Sequence, residues 1–97
     1  MPMFVSVGNF TDQGIRGYQE SPKRVKAFKD LVEGMGGKVH SVYWTLGQYD
    51  LVAIIEAPDD QMAAAIAVKQ ASLGNVRMQT MPAFGMDEIQ KIIKAAD

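Results

Sequence analysis

The fold this sequence predicts is α+β and ferredoxin-like, βαββαβ with an added C-terminal helix, built on a four-stranded antiparallel sheet. Three observations predict it. Four runs rich in β-branched and aromatic residues alternate with two helical stretches in the order strand, helix, strand, strand, helix, strand. Only Gly47-Gln48-Tyr49 separates the two middle strand runs, which is the spacing of a β-hairpin. Finally, 97 residues with 47% apolar and 22% charged side chains are the length and composition of one globular domain, residues 1–97.

Taken in order, residues 3–10 (MFVSVGNF) read as the first strand. A polar, glycine-containing stretch from Thr11 to Ser21 reads as a loop, long for this fold, and long loops are often binding elements or lids. Ser21-Pro22 opens a helix, serine as N-cap and proline at the first helical position. Val25, Phe28, Leu31, Val32 and Met35 gather within roughly 120° of one helix face, and Gly36-Gly37 ends the helix. Residues 38–46 and 50–56 form the hairpin strands, with Gly47 where a positive φ is needed. Asp59-Asp60 begins a second helix that runs to about Leu73, the acidic pair suiting the positive end of the helix dipole. Residues 76–83 form a fourth strand, and its Pro82 suits an edge. Met86, Ile89, Ile92, Ile93 and Ala96 make the apolar stripe of a short last helix.

Ten Lys+Arg against eleven Asp+Glu leave a net charge of −1, with no basic surplus for nucleic acid. The absence of cysteine removes disulfides, thiolate metal sites and thiol nucleophiles. MPMFVSVGNF has no basic segment ahead of an apolar run, so no signal peptide is expected, and no apolar run reaches the ~18 residues of a membrane span. The expectation is a cytoplasmic chain with no membrane or nucleic-acid partner.

The helices cover one sheet face. On the other, neither set of alternating residues is plainly polar, so an apolar surface is left for a partner. A second copy, sheet against sheet, is the economical solution, and a homodimer is expected. The second helix carries five alanines and, from Gln61 to Leu73, only Lys69 as a charge. Either the C-terminal helix partly covers it or another subunit does, giving an assembly larger than a dimer.

Three separated motifs, Asn9-Phe10-Thr11-Asp12-Gln13-Gly14-Ile15-Arg16, Tyr43 to Asp50 and Ser72-Leu73-Gly74-Asn75-Val76-Arg77, resemble the GYD-domain family, whose signature stands here as Gly47-Gln48-Tyr49-Asp50. The resemblance spans essentially the whole chain and implies a small dimeric α+β barrel, with no settled biochemical activity. Val42 to Ile55 also resembles the effector-binding domain of leucine-responsive, feast/famine-type regulators, where the same hairpin sits at a dimer interface that binds small amino acids. The helix-turn-helix of those regulators has no counterpart here, so DNA binding is not expected to carry over.

The candidate ligand-binding residues are Asn9, Arg16, His40, Trp44, Tyr49, Asp50 and Arg77. His40 is the only histidine and cannot by itself supply the ligands of a zinc site; alone it would suffice as a haem axial ligand, but its place beside Lys38 and Ser41 fits a partly exposed polar residue better, and no metal or other cofactor is expected. It could line a pocket as an acid or base, or be structural. Strict alternation puts His40, Val42, Trp44 and Leu46 on one face and Ser41, Tyr43 and Thr45 on the other. Tyr49 and Asp50 either present a phenol to a ligand or brace the hairpin, Asp50 accepting backbone N–H bonds. Asn9, Arg16 and Arg77 could offer donors to an anion. The leading expectation is a homo-oligomeric small-molecule-binding module with its pocket between sheet and partner. The rivals are a cofactor-free oxygenase or isomerase acting on a small aromatic or carbonyl compound, and a structural or partner-binding oligomer.

Overall fold

β1 (Met3–Phe10) and β3 (Leu51–Glu56) form the middle of the sheet, flanked by β2 (Lys38–Trp44) and β4 (Val76–Ala83) in the order β2-β3-β1-β4, every pair antiparallel. This is a computed structural model and describes residues 1–97. The helices are α1 (Asp12–Arg16), α2 (Ser21–Gly34), α3 (Asp60–Ser72) and α4 (Met86–Ala96). The strand order and the two long helices are those of the ferredoxin-like fold expected from the sequence, with β2 ending at Trp44 rather than at Leu46.

Residue alternation sorts the two sheet faces. Phe4, Ser6, Leu51, Ala53, Ile55 and Val76 are buried, and Phe4 and Ile55 join Val32 of α2, Ala57, and Ala63 and Ile66 of α3 in one core cluster. Met3, Val5, Val7, Val52 and Ile54 point the other way and are only half-buried. α2 packs mainly on β2 and α3 mainly on β4, and the two helices touch each other little. Alanines at 63, 67 and 71 give α3 few side-chain atoms with which to close that gap.

Four local features depart from the sequence reading. The stretch between β1 and α2 is helical: Thr11 caps α1, its Oγ1 accepting from the Gly14 N–H at 3.0 Å, and Tyr18–Glu20 makes a 3-10 turn. Ser21 is already inside α2 and caps nothing, because that turn feeds α2 directly. A β-bulge falls at His40, since Val39 lies opposite Ile55 while Ser41 lies opposite Ile54. The extra residue resets the alternation, so Val39, Val42 and Trp44 share the helix face while Ser41 and Tyr43 lie on the open one. Finally, every residue of α4 is exposed, and α4 does not cover α3.

The glycine expectations agree with the structure. Gly36 has φ +85° just past α2, and the Gly37 N–H donates back to Val32 O at 2.9 Å. Gly47 turns the hairpin at φ +114°.

Candidate functional site

The three sequence motifs meet at one end of the sheet, where β1 ends and β3 and β4 begin. The hairpin is tied to β1 reciprocally. The Asp50 N–H donates to Asn9 Oδ1 at 3.1 Å and to Gly8 O at 2.9 Å, and the Phe10 N–H donates to Asp50 Oδ2 at 3.0 Å. Thr45 closes the hairpin, its N–H donating to Asp50 O at 2.8 Å and its hydroxyl to Tyr49 O. On the opposite side of β1 the Thr11 hydroxyl donates to Gly74 O at 2.6 Å, and its N–H to Asn75 O at 3.1 Å. Gln13 Nε2 adds bonds to Leu73 O and Asn75 Oδ1 at 3.2 and 3.0 Å. Gly14 is pressed so closely on this loop that a Cβ there would lie 1.9 Å from Asn75 O. Arg24 of α2 completes the junction by donating from Nη1 to Gly14 O at 2.9 Å.

The candidate residues fall into three places. Asn9 and Arg77 are cross-strand neighbours on the open face at the motif end, both exposed, with Asp50 bonded to Asn9. Arg16 is exposed on α1, and Tyr49 is half-buried in the hairpin. His40 lies at the other end of the sheet, its Nε2 2.9 Å from Glu56 Oε2, and Glu56 shares the open face with Ile54 and Val52. Trp44 is on the helix face, half exposed, opposite Leu51. His40 and Trp44 therefore face opposite sides of the sheet, and the bulge is the cause.

Two further features come from the structure: a cavity, and the exposure of the apolar stripe that the sequence placed on the last helix. A cavity of about 180 Å3 lies between the helix face of the sheet and the splayed helices α2 and α3. Val25, Phe28, Trp44, Leu51 and Ile66 are among its walls, and paired hydroxyls, Ser6 Oγ and Thr80 Oγ1 at 2.7 Å, lie on its floor. The second is the apolar side of α4, where Met86, Ile89, Ile92 and Ile93 are 75, 37, 41 and 60% exposed. Phe84, just before that helix, is 59% exposed.

Comparison with known proteins fits this geometry. The model of the GYD domain matches residues 4–93, from the first residues of β1 to the last turns of α4. The chain belongs to the GYD domain family. A Thermus thermophilus protein named glutamine synthetase and cystathionine beta-lyase binding protein is 31% identical over 90 residues, spanning 92% of this chain and 95% of that one. A crystal structure of a Thermus thermophilus protein aligns with a TM-score of 0.56 at 24% identity, over 88% of this chain and 95% of that one. The leucine response regulatory protein of Mycobacterium tuberculosis aligns with a TM-score of 0.59 at 14% identity, over 88% of this chain and 51% of that one. At these identities the two structural likenesses are likenesses of fold.

In this GYD protein the signature residues act on the backbone. Gly47 supplies the left-handed turn and Asp50 clamps the hairpin to β1 through main-chain donors. Asn9, Thr11 and Gly14 of the first motif and Gly74 and Asn75 of the third are used in the same way. What the motifs build is a mutually hydrogen-bonded end of the sheet, next to which the cavity lining includes Phe10, Asn75 and Val76.

Proposed function

We propose that this GYD protein is a non-catalytic, self-associating adaptor that docks on folded enzymes. The exposed apolar side of α4 carries the reading. An apolar stripe at helical spacing on a helix without a covering element is a surface shaped for another chain. Fully burying an exposed side chain of this size contributes about 1.5–3 kcal/mol, and Met86, Ile89, Ile92 and Ile93, already partly covered, would each give a fraction of that. Association costs about 4–15 kcal/mol, so one such helix binds weakly alone. The open sheet face supplies the rest. Val5, Val7, Val52 and Ile54 form an apolar centre with Arg77, Gln79 and the His40–Glu56 pair at its rim, the layout of a subunit interface. A second copy on that face brings two α4 helices into one particle, and two weak contacts then act together.

The relative named for binding glutamine synthetase and cystathionine beta-lyase supports the choice of partner class. The catalytic rival needs its polar groups in one place. His40 and Trp44, four residues apart on β2, are separated by roughly 13 Å of strand and face opposite sides. The small-molecule pocket between sheet and partner would draw on Asn9, Arg77 and Tyr49 at one end of the interface, with His40 at the other.

The test immobilises glutamine synthetase or cystathionine beta-lyase from the same source and measures binding of the intact protein and of an Ile89→Lys/Ile93→Lys variant. Saturable binding of at least one enzyme, lost in the variant while its circular dichroism is unchanged, is expected. Binding to neither enzyme by protein that self-associates normally contradicts the reading.

A further inference from the structure

We propose that the cavity between the helix face of the sheet and helices α2 and α3 is a binding site for a compact monocyclic compound carrying one hydrogen-bond acceptor, such as a ring or aryl ketone. The site is distinct from the sheet–partner interface and from α4, so it stands or falls apart from the adaptor reading.

Size comes first. The cavity measures about 180 Å3. A dry cavity of about 150 Å3 accommodates a benzene ring, so one ring with a small substituent fits. The cavity opens to solvent on one side, and an α-helix, about 10 Å across with its side chains, is too wide to enter it whole. Protein interiors are otherwise close-packed, and this space is held open by small residues on both sides. Ala53 and Ser6 line the sheet side, and Ala63, Ala67 and Ala71 line the α3 side.

Chemistry comes second. Fourteen of the 21 lining residues are hydrophobic, and Phe28, Leu51, Ile55 and Ile66 favour an apolar body. Ser21, Arg24, Gln70, Asn75 and Arg77 also border it, Arg24 and Asn75 already bonded at the motif junction, and the sheet side adds a buried hydroxyl pair. Ser6, 6% exposed, and the half-buried Thr80 place their hydroxyls 2.7 Å apart across β1 and β4. Two hydroxyls bonded to each other use one O–H, and the other O–H is left to donate elsewhere. No other acceptor engages either side chain. A carbonyl oxygen reaching the floor would take that hydrogen, while a purely hydrocarbon ligand would leave it unpaired.

The experiment uses the full chain with acetophenone and ethylbenzene, which differ at the acceptor, and reads dissociation constants by ligand-observed NMR titration. For the unaltered protein, acetophenone is expected to bind in the millimolar range or tighter, and roughly three- to tenfold tighter than ethylbenzene. Ala67→Leu fills the cavity and is expected to weaken both probes more than tenfold. Should that variant fail to fold, Ala53→Val makes the same test from the sheet side. The Ser6→Ala/Thr80→Val double variant removes both hydroxyls together, leaving no orphan, and is expected to bring acetophenone to the affinity of ethylbenzene. Absence of saturable binding, binding unchanged when the cavity is filled, or equal affinity for the two probes in the unaltered protein overturns the proposal.

Discussion

The two ends of this molecule solve the same physical problem in opposite ways. At the motif end, three loops that would otherwise expose main-chain donors and acceptors satisfy one another: Asp50 takes the Phe10 N–H, Asn9 takes the Asp50 N–H and Thr11 spans Gly14 and Gly74. Their partners lie within the chain, and Gly14 is there because nothing larger fits against Asn75. At the other end α4 leaves the sheet with every residue exposed and an apolar side uncovered. Only twelve of 97 residues are buried, so the core alone uses a small part of the apolar sequence. The contrast separates residues that hold the fold from residues left free to bind, and the family signature belongs to the first group.

Substitutions at the closed end are expected to act on folding. The largest effect is expected from Gly14→Ala, whose new Cβ would meet the main-chain Asn75 O at 1.9 Å. A loss of about 2–3 kcal/mol by urea denaturation is expected for such overpacking. Asp50→Ala removes the carboxylate that accepts from Phe10 N–H, and hydrogen bonds to charged groups contribute about 1.5–3 kcal/mol. Since Asp50 is partly exposed, the lower part of that range is expected, with Asp50→Asn losing less because it keeps an acceptor. Thr11→Val deletes the cap of α1 and the bond to Gly74, for a loss of about 1 kcal/mol. Ile93→Lys at the open end is expected to shift folding by less than about 0.5 kcal/mol, as at ordinary surface sites, while weakening association with another chain. Equal unfolding losses for Ile93→Lys and Gly14→Ala would erase the distinction between the two ends.

Most of the fold was legible from periodicity and turn chemistry. The four strands, the two long helices, the glycine at the end of α2 and the glycine of the hairpin all lie where those signals put them. The candidate site was legible only in pieces. One inserted residue, His40, reverses the face of every β2 residue before it relative to those after it, and no composition signal marks a bulge. The five-residue helix α1 was missed because Thr11, its local cap, was read as a loop residue, and the contacts that hold the helix in place, Thr11 to Gly74 and Gly14 to Asn75, lie more than sixty residues away in sequence. The alanines of α3 were visible, but whether they meet another helix or border a cavity depends on how far α2 and α3 splay, which local sequence does not encode.

The most direct test of the contrast is amide hydrogen exchange read residue by residue, at low protein concentration, at high concentration and with a binding enzyme added. An isolated helix of 11 residues is marginal in water, so α4 gains lasting protection only from packing. The expected result is strong protection of the Phe10, Thr11 and Gly14 amides in every condition, with α4 protected only when another chain is bound. Protection of α4 equal to that of β1 in dilute monomer, or fast exchange of α4 under all three conditions, would contradict the account.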